Sequence, residues 1–199
     1  MFDAIPAALR DRAQWLVWRF EPGDAGKKPR KMPYYADGTR RTGQQGSAAD
    51  RKRLATFERV RAAYEAGGWS GVGFAFLPDD GVFGIDIDAA IDCDTGEVHP
   101  RAQAMIAACD SWAELSPSGL GAHIFMRGHT HTHKVNAADG RIGVEIFCGR
   151  QFFTVTGRTW PGAPDHVREA GAKLLAKLHR TVDALKAEAK PAPAAPTPP

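Results

Sequence analysis

Apolar and polar positions alternate with period two through residues 14–20, where Trp15 and Val17 fall on one side and Leu16, Trp18 and Phe20 on the other, predicting a strand apolar on both faces. A short helical turn over residues 7–13 precedes it. From Gly23 to Gly46 glycine, lysine and arginine dominate and predict a loop, interrupted by an extended piece at Lys31 to Tyr35. A helix follows over 51–66, capped by Ser47 or Asp50 and ended by Gly67-Gly68. Two β-rich runs near 71–77 and 82–88 enclose Pro78-Asp79-Asp80-Gly81, which reads as a hairpin turn. Residues 100–109 are helical, strands near 112–116 and 122–127 flank a serine-glycine turn, and the β pattern resumes over 143–147 and 149–157. Val167, Ala170, Leu174, Leu175, Leu178, Val182 and Leu185 mark one amphipathic helix, or a pair, within 164–189. A folded unit over 1–189 is expected, followed at 190–199 by a Pro/Ala-rich linker that has too little apolar surface to pack.

Three segments carry candidate chemistry. In Val82-Phe83-Gly84-Ile85-Asp86-Ile87-Asp88, strand alternation sends both aspartates to one face and both isoleucines to the other. Carboxylates roughly 6.6 Å apart along a strand can share cations about 3.5 to 4 Å apart, the spacing of two-metal phosphoryl chemistry. In Ser116-Pro117-Ser118-Gly119-Leu120-Gly121-Ala122-His123, Gly119 and Gly121 expose backbone amides to an anion, Ser118 adds a hydroxyl and His123 heads a strand, an arrangement suited to a triphosphate and equally to an ordinary turn. In Gly143-Val144-Glu145-Ile146-Phe147, Glu145 points away from its buried neighbours, as a third acidic ligand or as a solvated sheet residue. Arg150 and the threonines of the next strand are placed to approach phosphate or sugar.

Charge sharpens this picture. Residues 1–61 hold 14 Lys/Arg against 7 Asp/Glu, whereas 62–162 hold 6 against 12, beneath an overall net charge of +3. A basic front beside an acidic middle suits a protein that grips a polyanion with one part and divalent cations with another. Lys28, Arg30, Lys31, Arg40 and Arg41 are the candidate nucleic-acid contacts, with Tyr34 placed to stack on an unpaired base. Cys93, Cys109 and Cys148 form no Cys-x-x-Cys pair, and His129, His131 and His133 lack a fourth ligand nearby in sequence, so no structural zinc is expected and 128–141 reads as an exposed loop. The 199 residues contain no long apolar run and no signal-like start, which predicts a cytoplasmic protein without membrane attachment.

Taken together, the Asp-hydrophobic-Asp strand, the Ser-Gly-x-Gly-x-His turn and the acidic strand running into Arg150-Gln151-Phe152-Phe153-Thr154-Val155-Thr156-Gly157 resemble the archaeo-eukaryotic primase superfamily, in particular the primase-polymerase domains of phages and plasmids. Trp15-Leu16-Val17-Trp18-Arg19 and Lys28-Pro29-Arg30-Lys31-Met32-Pro33-Tyr34 resemble the segment that precedes the core in those proteins. The resemblance implies an α+β fold, a catalytic core of mixed or antiparallel sheets flanked by helices around an open cleft. It implies template-directed nucleotidyl transfer on single-stranded DNA from NTP or dNTP, with two Mg2+ or Mn2+ ions held by Asp86, Asp88 and Glu145. Ser118, Gly119, Gly121 and His123 would bind the triphosphate, His123 with a part in catalysis, and Arg150 would match a basic position. A helicase domain often lies downstream in such proteins. Glu145 departs from the aspartate of many members and adds a methylene of reach. A catalytically silent single-strand-binding module and a two-metal nuclease are the competing readings.

Overall fold

The computed structural model describes residues 2–189 apart from Ala25, Lys27 and Asp139; the linker expected at 190–199 lies outside the described residues. A 3-10 turn (Phe2–Ala4) and α1 (Ala7–Arg10) lead into β1 (Trp15–Glu21) and β2 (Arg30–Tyr34). Then come α2 (Ala48–Arg53), α3 (Phe57–Glu65), β3 (Gly71–Phe76), β4 (Val82–Asp88) and α4 (Pro100–Cys109). The chain continues through β5 (Ala113–Leu115), β6 (Ala122–Arg127), β7 (His133–Val135), β8 (Gly143–Cys148), β9 (Gln151–Val155) and α5 (Ala172–Ala189). The described strands pair antiparallel in two sheets, ordered β2-β1-β3-β9 and β5-β6-β4-β8-β7, so the fold is α+β. Among the described residues no helix is long and apolar enough to cross a membrane.

Four regions depart from the sequence expectation. The helix expected over 51–66 is two helices, because Ala55 leaves the helix to exchange backbone hydrogen bonds of 3.0 and 3.1 Å with Trp15. Thr56 then caps α3 and Ser47 caps α2. β3 and β4 do not form a hairpin but belong to different sheets. The Asp80 carboxylate accepts from the amides of Leu77 and Val82 and from Gln14 Nε2, at 3.0, 2.9 and 2.6 Å, and so redirects the chain from one sheet to the other. Only Ala172–Ala189 of the region 164–189 is helical, and the loop expected at 128–141 contains β7.

One face of the second sheet, with Ile85, Ile87, Ile124 and Val144, is buried with Met105 and Ile106 of α4 and Leu178, Val182 and Leu185 of α5. The opposite face meets the first sheet through aromatic rings. Phe153 of β9 lies 4.9 Å from Phe76, 5.5 Å from Phe125 and 4.9 Å from Phe147, all near edge-on. It fits because residue 84 is glycine: a Cβ there would stand 2.4 Å from the Phe153 ring.

Two candidate nucleic-acid contacts are part of the core instead. Arg41 is buried and forms a two-pronged ion pair with Asp50, at 2.8 and 2.7 Å. Tyr34 is also buried, its hydroxyl donating to Glu21. Each has its polar end committed within the protein and has little surface left for a strand of DNA. Burial by itself would raise the Asp50 pKa, but hydrogen bonds from Arg41, the Gly46 amide and Tyr35 outweigh it and hold it at about 2. Lowered from 3.8, this carboxylate contributes stability that is complete above its ordinary range and lost as pH falls from about 4 towards 2, worth about 2 kcal/mol. Arg41→Met, which strands Asp50 without its partner, is expected to cost about 3–5 kcal/mol in urea unfolding at neutral pH, with a smaller cost near pH 2 where Asp50 takes up a proton.

Candidate active site

The site grows from the alternation in β4. With Ile85 and Ile87 drawn into the core, Gly84, Asp86 and Asp88 must occupy the opposite face. Asp86 pairs with His123 of β6 on one side and Glu145 of β8 on the other. His123 in turn faces Glu114 of β5, and Glu145 faces Lys134 of β7. A single row across five strands therefore reads Glu114, His123, Asp86, Glu145, Lys134. One step further along β4, Asp88 is exposed and its cross-strand partner is Gly143, so no side chain covers it from that strand.

Glu114 is fully buried and holds one end of the row. Its carboxylate accepts from the Thr156 and Gly157 amides at 3.0 and 2.8 Å and from the Thr156 hydroxyl at 3.2 Å. His123 Nδ1 lies 3.2 Å from the same carboxylate, which as an acceptor places the proton on Nδ1 and leaves Nε2 towards Asp86, 3.7 Å from Oδ1. Phe153 stacks on the His123 ring at 4.6 Å, fixing its plane. At the other end, Lys134 Nζ is 3.1 Å from Glu145 Oε2.

Burial raises the Asp86 pKa; His123 and Lys31 oppose the shift, and Asp88 and Glu145 add to it. Asp86 Oδ1 is buried with no hydrogen-bond donor. A buried anionic oxygen without a donor, beside two further carboxylates, suits an oxygen-seeking divalent cation, so the residues fit Mg2+ or Mn2+.

The serine-glycine segment forms the β5–β6 turn at the Asp88 end of the sheet. Ser116 and Ser118 hydroxyls are 3.0 Å apart, and Ser118 Oγ also accepts from the Leu120 amide at 3.3 Å. Half-buried Gly119 takes φ +78°, and a Cβ on Gly121 would come within 2.8 Å of the Ile87 carbonyl oxygen, so the turn packs against β4 only with glycine there. Ser118 lines a cleft of ≈ 490 Å³ together with Lys31, Thr156, Arg158, Trp18 and Phe20. Arg158 donates to the Ser116 carbonyl at 2.6 Å and Lys31 sits over the Trp18 ring. Protein crowding lowers the Lys31 pKa, against the pull of Asp86 and Asp88. Because Glu114 binds both His123 and Thr156, the cleft adjoins the acidic row.

Asp86, Asp88, Glu145 and His123 are thus brought together, with Ser118, Gly119 and Gly121 in the adjoining turn. Arg150 does not join them. It occupies the β8–β9 turn at φ +54°, beside Pro78 at the Phe83 end of the sheet, because β8 runs away from the acidic row before the chain turns. Lys28 and Arg30 are exposed, and exposed Arg40 pairs with Glu21 at 3.3 Å. Glu114, Lys134 and Arg158 were not singled out from sequence, whereas Thr156, one of the threonines expected to approach phosphate or sugar, lines the cleft. Glu114 did leave a trace, a lone acid in the β-rich run Trp112-Ala113-Glu114-Leu115.

Fold and site together define an α+β protein with a row of acidic side chains beside a cleft that carries basic ones. No family model matches the chain. It is similar to the protein named DNA Primase-polymerase of Nitratiruptor phage NrS-1, at 27% identity over 183 residues. The match covers 89% of this chain and 24% of that relative, so the chain spans about a quarter of the relative's length.

A raised pKa makes the stabilising effect of a protonated Asp86 complete at low pH and lost as pH rises through the folded-state value. Asp86→Asn is therefore expected to melt above wild type at neutral pH in chelator-treated buffer, the gap closing in acid. Mn2+ should raise the wild-type melting temperature far more than that of the variant. An equal Mn2+ response in both proteins would contradict the ligand assignment.

Proposed function

We propose that the chain is a primase-polymerase catalytic unit with an archaeo-eukaryotic primase core, transferring nucleotides from NTP or dNTP onto a strand directed by a single-stranded DNA template in phage, plasmid or mobile-element replication. The observation that carries this reading is the convergence of Asp86, Asp88, Glu145 and His123 from three adjacent strands beside a cleft bearing Lys31, Ser118 and Arg158. The similarity to a phage protein named DNA Primase-polymerase supports it from a separate direction.

In this reading Asp86, Asp88 and Glu145 hold two Mg2+ or Mn2+ ions. Those cations, when bound, activate the attacking 3′-hydroxyl and offset charge on the leaving pyrophosphate. Glu114 keeps the His123 proton on Nδ1, so that Nε2 is the atom presented to the site, where the ring orients the triphosphate. Ser118 contributes its hydroxyl, and Lys31 and Arg158 offset phosphate charge from the rim. Lys134, ion-paired with Glu145, limits repulsion along the acidic row while no cation is held. Exposed Lys28, Arg30 and Arg40 lie along the template path, and half-exposed Phe20 offers a stacking surface for an unpaired base.

The test is extension of a primed and an unprimed single-stranded template with labelled NTP or dNTP in Mg2+ or Mn2+. Asp86→Ala and Asp88→Ala are expected to lose at least about a hundredfold in incorporation rate while retaining most DNA binding. Wild-type turnover by either variant would end the assignment. Release of mononucleotides instead of pyrophosphate would identify a nuclease, and salt-sensitive binding without turnover a silent binding module.

A further inference from the structure

On the opposite face of the second sheet, two neighbouring histidines meet a third that is distant in sequence. Their ligating nitrogens, from His131, His133 and His179, all lie within 4.8 Å of one another. His133 belongs to β7, where alternation turns Lys134 towards Glu145 and His133 towards α5; the half-buried His179 comes from α5. Of the three histidines in segment 128–141 His129 is not part of the cluster, and His179 joins His131 and His133 from a helix more than forty residues away.

The arrangement of the nitrogens is specific. His133 Nδ1 and His179 Nδ1 face each other at 2.9 Å. The far nitrogen of each ring is held from behind: His133 Nε2 lies 3.1 Å from Asp183 Oδ1, and His179 Nε2 lies 2.8 Å from Thr130 Oγ1. If each far nitrogen carries the proton it donates, the two Nδ1 lone pairs point at each other, an arrangement that repels unless a cation or an added proton lies between them. A metal-bound histidine that donates its other N–H to a carboxylate or hydroxyl is the usual design of an imidazole metal site. Burial and the two neighbouring imidazoles lower the His179 pKa, which keeps the ring available as a ligand.

We propose that His133, His179 and His131 bind a zinc-type transition-metal ion that staples β7 to α5. His133 and His179 are the fixed pair through Nδ1. His131 is exposed and stacks on His179 with ring centroids 4.1 Å apart and planes within 11°, so its lone pairs lie in a plane stacked on that of His179 and the ring must turn to become the third ligand. A tetrahedral ion with bonds of about 2.0–2.1 Å holds its ligand nitrogens about 3.4 Å apart, within the spread observed here, and leaves a fourth position for water. The all-nitrogen donor set selects zinc over Mg2+, which prefers oxygen. The site is separate from the acidic row and independent of its function, although the ion would also steady the strand that carries Lys134.

Untagged, chelator-treated protein titrated with Zn2+ in a calorimeter and in a melting assay tests the proposal, with Co2+ absorption reporting the geometry. One ion per chain is expected, with a melting shift of roughly 5–10 °C at a hundredfold excess over Kd and a tetrahedral Co2+ spectrum. His133→Ala and His179→Ala should abolish binding, Asp183→Asn, a change at an exposed side chain, should weaken it about 10- to 100-fold, and Asp86→Ala should leave it unchanged. Substoichiometric binding, an equal response to Mg2+, or Zn2+ affinity unaltered by His133→Ala and Asp183→Asn would overturn it.

Discussion

A carboxylate with no exposed surface must have every lone pair answered from within the protein, and Glu114 is the place where this chain meets that demand. Its partners come from two sources: the Thr156-Gly157 backbone leaving β9 of the first sheet, and His123 on β6 of the second. The bond network therefore joins the two sheets and orients the histidine of the acidic row in one step. Phe153, two residues before Val155, closes the same joint from the apolar side by stacking on that histidine and passing over Gly84. Separating β9 from the second sheet would leave buried amides and a buried charge without partners, so the joint and the site stand or fall together.

The face that carries the acidic row is divided along the strands. Towards the Phe83 end it is aromatic, with Phe125, Phe147 and Phe153 in contact; towards the Asp88 end it is charged and opens to solvent. The aromatic half supplies the burial that positions the charged half, and it also deprives Asp86 of water, which is why its ionised form is disfavoured. His123 and Lys31 reduce that cost, and Lys134 pairs directly with the neighbouring Glu145. The neighbouring carboxylates Asp88 and Glu145 add to that cost by repulsion.

Much of the charged half was legible in the chain. Alternation in Ile85-Asp86-Ile87-Asp88 placed both aspartates on one face, and the same rule turned Glu145 away from Val144 and Ile146, because side-chain direction along a strand is a local property. Tyr34 and Arg41 were misread for a complementary reason. Their neighbours are basic and exposed, and only contacts with Glu21 and Asp50, brought in by folding, take their polar ends out of solvent. Arg150 was separated from the site by the direction of β8, and β3 from β4 by the Gln14 to Asp80 contact. Glu114 and Arg158 could be recognised only once their partners were in place.

The sequence by itself determined the faces of the strands, the opposite charge balance of the front and middle of the chain, and the acids that share one face of the second sheet, since each follows from periodicity or composition over short stretches. The tertiary structure decided register, burial and partnership. It set Asp86 between His123 and Glu145, sent Arg41 inward, and brought His179 against His133, because cross-strand pairing and helix docking are set by burial summed over the whole domain, which no local pattern encodes.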